Sequence, residues 1–361
     1  MSLNNILSTS LSGLFVNQAN IRVTASNVAN VNTPGYSRLE VDQEARILQG
    51  QAAGVGISSI TRVVDRFLEN ASRAAISNTD QYRVQREFHD RLQGVLGEPT
   101  SDSSLSARLD QVFQSASDLA LNPADALRRQ RTVSELDNFL TQVGSFGQQI
   151  QALRSDASNQ IEDVVVRVNE NLQRIHELNP LLVRQRALGL ETGGVEGQLA
   201  QALSSLAEDV DINIETQLNG AVFVSTSGGQ TLVDTSLRQL DYSSPGTANP
   251  GTFFPPISIS RVNDDTLEPI SSAIDITNVL RGGRLRGLVE LRDGQLFDLA
   301  ESIGELGARV ADEFNAIQNR FSAVPPPNSL VGQPTIVAGD QPTNFTGIVT
   351  FAVVDENNNL V

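Results

Sequence analysis

The sequence of 361 residues has no cysteine, no lysine and no tryptophan, and only one methionine and two histidines. Without cysteine there is no disulfide, no thiolate nucleophile and no Cys-type zinc site. All 26 basic residues are arginine, which removes Schiff-base chemistry and the lysine of a phosphate-binding loop. Acidic residues outnumber basic ones by 42 to 26, a formal net charge of −16. That balance disfavours nucleic acid and anionic membrane as partners. No apolar run approaches the roughly 18 residues of a membrane span. The N-terminus lacks the positive patch, apolar block and small-residue cleavage site of a secretory leader. The expectation is a soluble chain that is not exported by a cleaved leader.

Residues that could carry chemistry are sparse. His89 and His176 fall inside predicted helices with no carboxylate or second histidine at i+3 or i+4, so they read as helix-surface residues. Asp264-Asp265 reads as a solvated turn. Gly282-Gly-Arg-Leu-Arg-Gly287 is Gly-rich and basic, yet without lysine it reads as a turn before a helix rather than an anion site. Arg128-Arg129-Gln-Arg131 reads as a solvated helix face. No catalytic, cofactor-binding or metal-ligating residue is nominated, and no enzyme activity is expected.

The first 36 residues are the informative part. Leu7, Leu11, Leu14, Gln18, Ile21, Ala25 and Val28 follow a 4-3-4-3 spacing, and all but Gln18 are apolar. Such spacing makes a narrow apolar stripe on a helix of about 26 residues, roughly 40 Å long, the kind that seeks another helix. The helix must then stop: Pro34 lacks an N–H and biases Thr33 toward extended geometry. Gly35 tolerates positive φ, and Asn27, Asn30 and Asn32 bond readily to nearby backbone. Burial of each large apolar side chain contributes about 1.5–3 kcal/mol, against an ordering cost of roughly 1–2 kcal/mol per residue of backbone. With a loop and short strands expected over 37–60, this helix has no tight seat in its own molecule and needs a partner. Leu7, Leu11, Leu14, Ile21, Ala25 and Val28 are the predicted assembly interface; Asn27, Asn30, Thr33, Pro34, Gly35 and Tyr36 form the predicted turn.

A second helix is expected from about Thr61 to Gly97, with Val64, Phe67, Ala71, Ala74, Phe88, Leu92 and Val95 on its apolar track and Asn78, Gln81 and Gln85 as polar gaps. A short helix to about Leu121 follows. The longest rhythm runs over about 124–178: Val133, Leu136, Leu140, Val143, Ile150, Ala157, Ile161, Val164, Val168, Ile175 and Leu178, interrupted at Gly147, Arg154 and Asn171. A pattern of this length argues for a coiled coil or long bundle. Asn179-Pro180 and Gly189 to Gly197 loosen the chain, and a helix covers 197–208. The period then falls to 2 in Val210-Asp-Ile-Asn-Ile214 and Ala221-Val-Phe-Val-Ser-Thr226, with Asn219-Gly220 and Gly228-Gly229 as hairpin turns. Helical rhythm returns from Leu296 to Phe321 and ends at Pro325-Pro-Pro327.

The expected fold is mainly α with β insertions, a multidomain long-helix, coiled-coil-like bundle with small β-rich parts. Residues 1–36 form the terminal helix and turn. Residues 37–324 form the bundle with a β insertion at about 210–280, and 325–361, with a strand candidate at 347–354, begin a β-rich outer domain. The sequence stops just after the turn Asn357-Asn-Asn359, as a fragment would.

Leu11-Ser-Gly-Leu14 followed by Ala25-Ser-Asn-Val-Ala-Asn-Val-Asn-Thr-Pro-Gly-Tyr36 resembles the N-terminal signature of the bacterial flagellar axial proteins, the rod, hook and hook-associated family. Three further stretches make residues 1 to about 321 similar to its hook-associated members: the long helix at 124–178, Asn219-Gly-Ala-Val-Phe-Val with Gly229-Gln-Thr-Leu-Val233, and Gly282 to Asp293 leading to Phe314-Asn315. The resemblance implies a structural subunit of the junction between hook and filament, assembling as a ring of eleven through terminal helices. It implies the hook protein and a second junction protein as partners, and an export chaperone bound through a C-terminal segment absent from this sequence. It implies an extracellular place on the flagellum after type III export. The family's second terminal heptad helix does not follow Phe321, a departure that truncation explains. A hook or distal rod protein is the neighbouring alternative, disfavoured by the helices from 61 to 178. A surface adhesin with β insertions as binding heads is a further one, and a wall hydrolase would need a carboxylate pair that cannot be nominated.

Overall fold

The structure, a computed structural model, describes residues 3–32, 36–48, 51–97, 101–102, 104–188, 190 and 192–319. Thr33, Pro34 and Gly35 of the predicted turn, and the expected outer domain at 325–361, lie outside the described residues. The elements are α1 (Leu3–Ala29), β1 (Leu39–Leu48), β2 (Gln51–Arg62), α2 (Arg66–Leu96), α3 (Leu105–Leu121), α4 (Ala126–Ala187), α5 (Gly193–Asp209), β3 (Ile212–Thr216), β4 (Val222–Thr226), β5 (Thr231–Val233), β6 (Arg238–Asp241), β7 (Ser258–Arg261), β8 (Ile274–Asp275), α6 (Gly283–Glu290), a π-helical turn (Leu291–Gln295) and α7 (Leu296–Asn319). The fold is mainly α with β insertions. It divides into one unit of residues 1–96 and 147–301 and another of 97–146 and 302–361.

In the first unit the heptad track of α4 is the core. Ile150, Ala157, Ile161, Val164, Val168, Leu172 and Ile175 are fully buried, and Leu153, Leu178 and Leu182 nearly so. The helix does not loosen at Asn179-Pro180 but runs on to Ala187. A proline inside a helix costs roughly 3 kcal/mol, and the burial of Leu178 and Leu182 on either side offsets it. The Asn179 carboxamide also donates to the Val222 carbonyl at 2.8 Å and accepts from the Val222 N–H at 2.9 Å. Earlier on the same helix, Asn169 makes the same pair of bonds to Leu240, both at 2.8 Å. An asparagine amide thus stands in for a neighbouring strand, and the β insertion is pinned to α4 at both sheets. These sheets are antiparallel, in the orders β3-β4-β5 and β6-β7-β8. The turns of the first sheet use Gly220 and Gly229 at φ of +91° and +88°, as the hairpin signals predict.

Two expectations fail here. The 37–60 stretch is not a loop with short strands but a long antiparallel hairpin, β1 with β2, in which Leu39 faces Arg62 and Leu48 faces Gln51. Gly54 and Gly56 sit inside β2. Helix α2 starts at Arg66 rather than Thr61, and only the later part of its predicted apolar track packs: Phe67 is 84% exposed and Ala71 and Ala74 are exposed, while Phe88 is fully buried. The packed side holds Arg73, Ser77, Gln81, Val84, Gln85 and Phe88. Gln81 and Gln85, expected as gaps, both donate to Glu290 Oε2, at 3.0 and 2.7 Å. The cause is close helix packing: a β-carbon on Gly287 of α6 would come within 2.6 Å of Val84 and 2.8 Å of the Gln81 carbonyl. Short polar groups on α2 then meet α6 directly, and amide bonds replace apolar burial.

Arg154, an expected interruption of the stripe, is 3% exposed and Arg292 is 1% exposed. Arg154 donates from Nε to the Arg292 carbonyl at 2.9 Å, and both guanidiniums stand over the Phe254 ring, at 5.1 and 4.9 Å. Burial pulls the Arg154 guanidinium below its ordinary value. Burial acts in the same sense on Arg292, but hydrogen bonds and charge from Asp293 outweigh it and hold the cation above its ordinary value. Cation–π contact and paired donors are what make two buried guanidiniums tolerable.

In the second unit, α3 starts at an N-cap, where Ser104 Oγ accepts from the Ala107 N–H at 3.2 Å. Val112 of α3 and Phe139 of α4 are fully buried, with Val143 and Phe146 close behind. Val133, predicted on the α4 track, is instead 63% exposed, and Phe139 takes the inward place. Thr132 Oγ1 bonds the Ser115 carbonyl at 3.0 Å, tying α4 to α3. Gly307 of α7 lets that helix approach Val143 closely.

Candidate functional site

Of the predicted turn residues, Asn27 makes the most contacts. Its Nδ2 donates to the Leu39 carbonyl and its Oδ1 accepts from the Leu39 N–H, both at 2.9 Å. The Tyr36 hydroxyl donates to the same Oδ1 at 2.9 Å and lies 3.4 Å from Ser26 Oγ. Asn30 closes the helix end, its Nδ2 donating to the Ser26 carbonyl at 2.9 Å. The asparagines therefore do more than satisfy nearby backbone: Asn27 ties the last turn of α1 to the first residue of β1, 12 positions on.

A second anchor sits about four turns earlier. Ser12 Oγ accepts from the Val55 N–H at 3.1 Å and donates to the Thr9 carbonyl at 2.7 Å. Gly54 faces it at φ +111°, and a β-carbon there would collide with Ser12 Oγ. Between the anchors Val16 and Val23 are each 5% exposed. So α1 does have a seat in its own molecule, on the β1–β2 hairpin, against the expectation that it folds back on nothing. The seat takes the face made of Ser12, Val16, Ala19, Val23 and Asn27, which is mostly small or polar.

At 100° per residue the predicted stripe lies on the opposite face. Leu7 is 68% exposed, Leu11 47%, Leu14 54%, Ile21 70% and Val28 69%, and Ala25 is exposed as well. The sequence reading missed Ile6 and Phe15, which are exposed by 52 and 58% on the two flanks of the stripe, and Val31, 73% exposed just past the helix end. Their positions beside the 4-3 track were the available signal. Arg22 is the only charged residue of the helix. A run of large apolar side chains with a single charge on one exposed face is the mark of a surface that another protein covers.

The chemistry-bearing candidates do not converge. His89 Nε2 lies 2.7 Å from Gln295 Oε1, and His176 Nε2 lies 3.5 Å from Asp264 Oδ1. Gly282 caps α6 and the basic residues after it lie within that helix rather than in a turn before it. Among the described residues no group of three His, Cys, Asp or Glu side chains could hold a metal ion, and no helix is long and apolar enough to cross a membrane.

Known proteins resemble this chain in both regions. Residues 89–320 match the family described as the flagellar hook-associated protein FlgK helical domain. Residues 7–36, the helix and turn just described, match the flagella basal body rod protein family. Flagellar hook-associated protein 1 of Salmonella typhimurium is 24% identical over 322 residues, covering 87% of this chain and 56% of the relative. The protein of that name from Escherichia coli is 23% identical over 321 residues, covering 87% and 57%. The one from Bacillus subtilis is 25% identical over 246 residues, covering 63% and 47%. The chain thus spans about half the length of these relatives. The structure of the flagellar hook junction protein FlgK from Burkholderia pseudomallei superposes with a TM-score of 0.53 at 24% identity, over 63% of this chain and 39% of that one, a likeness of fold. With more than half of its length matching the helical-domain family, the chain belongs to the FlgK family of flagellar hook-associated proteins.

Proposed function

We propose that the protein is a structural subunit of the bacterial flagellum at the junction between hook and filament, with no catalytic role. Copies assemble around a shared axis through the outer face of α1. The hook protein lies on one side and a second junction protein on the other, in a ring of eleven as in its family. The observation that carries this reading is the two-faced α1: its small and polar face is satisfied by the hairpin, while Leu7, Leu11, Leu14, Ile21, Ala25 and Val28 stand exposed together. Five of these are large, and covering each contributes about 1.5–3 kcal/mol, enough in sum to drive association of copies already held at high local density. The subunit is extracellular, delivered through the flagellar export apparatus.

The test is the double substitution Leu11→Asp and Leu14→Asp. Cells carrying it are expected to make hooks without filaments and to shed filament protein, while the purified variant keeps the melting curve of the parent. Normal swimming and attached filaments in that strain would remove the assembly role of α1.

A further inference from the structure

The hairpin that seats α1 is gripped at its base, where Leu39 and Arg62 face each other. Farther out, Ile47 and Ile57 stand exposed. Leu39 is buried against the start of α5, where a β-carbon on Gly193 would come within 2.8 Å of it. Such an apolar contact holds but does not aim, because burial has no preferred direction. Arg62 supplies the direction, with bonds to three separate segments. Its Nη2 donates to Ser37 Oγ at 2.9 Å and to Glu69 Oε1 of α2 at 2.7 Å, and its Nη1 donates to the Glu196 carbonyl of α5 at 3.4 Å. Charge balance alone does not call for it, since Glu69 also pairs with Arg73, one turn on along α2, at 3.4 Å. Between β2 and α2 only residues 63–65 intervene, in neither strand nor helix.

We infer that Arg62 is the positioning residue that aims the apolar face of α1. Its fork fixes the α1–hairpin pair on α2 and α5, and without it the pair swings as one body about residues 63–65. The pair stays together in that swing because Asn27 and Ser12 tie α1 to the hairpin and not to the helices beyond it. A planar guanidinium, with donors in fixed directions, holds an angle that a single ammonium or an apolar side chain does not. Copies that meet around one axis through α1 need its face at one angle. That purpose rests on the proposed junction role, whereas the joint itself is visible in a single chain.

The sequence has no cysteine, so a pair of introduced cysteines carries two spin labels and nothing else does. In the full chain, Asn17→Cys with Gln201→Cys spans α1 and α5, and Asn17→Cys with Ser58→Cys spans α1 and the hairpin; all three positions are exposed. Pulsed electron paramagnetic resonance is expected to give a narrow distance distribution for both pairs. Arg62→Gln is expected to broaden the α1–α5 distribution several-fold and to leave the α1–hairpin distribution narrow. Arg62→Lys, which keeps the charge but not the fork, should fall between. Glu69→Gln removes one partner and leaves Arg62 in place, so it should broaden the α1–α5 distribution by less; where Arg62→Gln does not fold, this variant decides. An α1–α5 distribution that stays narrow in these variants, or one that broadens only together with the α1–hairpin distribution, would overturn the aiming role. Normal swimming of the Leu11→Asp, Leu14→Asp strain beside a broadened α1–α5 distribution would remove the purpose in assembly and keep the joint.

Discussion

Helices α1 and α4 carry the same 4-3 rhythm and meet opposite fates. In α4 the track from Ile150 to Leu178 is buried within its own chain, whereas in α1 the residues from Leu7 to Val28 stand in solvent. The difference lies in where the polar anchors sit relative to the track. Around α4, Arg154, Asn169 and Asn179 reach out and fasten other segments over the helix. Around α1, Ser12 and Asn27 fasten the hairpin to the reverse side and leave the apolar side free. Apolar spacing alone therefore says that a helix wants a partner, and the polar residues beside the track say which face its own chain will take.

The sharpest way to break this contrast is to truncate one residue on each track. Ile175→Ala removes a fully buried side chain and is expected to cost about 2–5 kcal/mol in denaturant unfolding of the isolated chain. A loss below about 1 kcal/mol would mean the α4 track is not the core of its unit. The clamp comes next. Asn27→Ala leaves the Leu39 N–H and carbonyl without their partners, and about 1–3 kcal/mol is expected to be lost, confined to α1 and the hairpin. Hydrogen exchange should report faster exchange in α1 with α4 unchanged.

A smaller effect concerns Asp234 in the β insertion. Burial raises its pKa, but bonds from Arg238 and the Ser236 N–H, with the charges of Arg238 and Arg261, outweigh burial and hold it below the usual carboxylate range. Its contribution is therefore fully present above the unfolded value of about 3.9 and lost as pH falls through the lower folded value. Relative to Asp234→Asn, the parent should gain up to about 1 kcal/mol at neutral pH, an advantage that fades below about pH 4; an advantage that grew on acidification would reverse the sign. The smallest effect is the most telling: Leu14→Ala in the isolated chain should change stability by no more than about 0.5 kcal/mol, since the side chain is already 54% exposed. A core-sized loss there would place the α1 stripe inside its own molecule.

Legibility followed how far each signal was local. The α1 stripe, the α4 track and the glycine turns of the β insertion were readable because spacing and φ preference are properties of the strand or helix itself. The β1–β2 hairpin was not, because Glu40, Asp42 and Glu44 alternate with only modest apolar partners and Gly54 and Gly56 look like breaks. Its apolar cover, Val16 and Val23, lies on another element. The polar packed side of α2 was hidden for a similar reason, since it depends on the absent side chain of Gly287. The same holds for Pro180, which reads as a stop until Val222 is seen bonded to Asn179.

By itself the sequence determined that this chain is built on long helices, that its first helix bears a sticky face, and that disulfide and thiolate chemistry are excluded. Periodicity and composition suffice for such statements because they need no knowledge of distant residues. Only the tertiary structure decided which face of α1 the chain keeps for itself. That choice rests on an amide meeting a strand 12 residues away and a serine meeting a glycine 42 residues away, contacts that exist only once the backbone has brought them together.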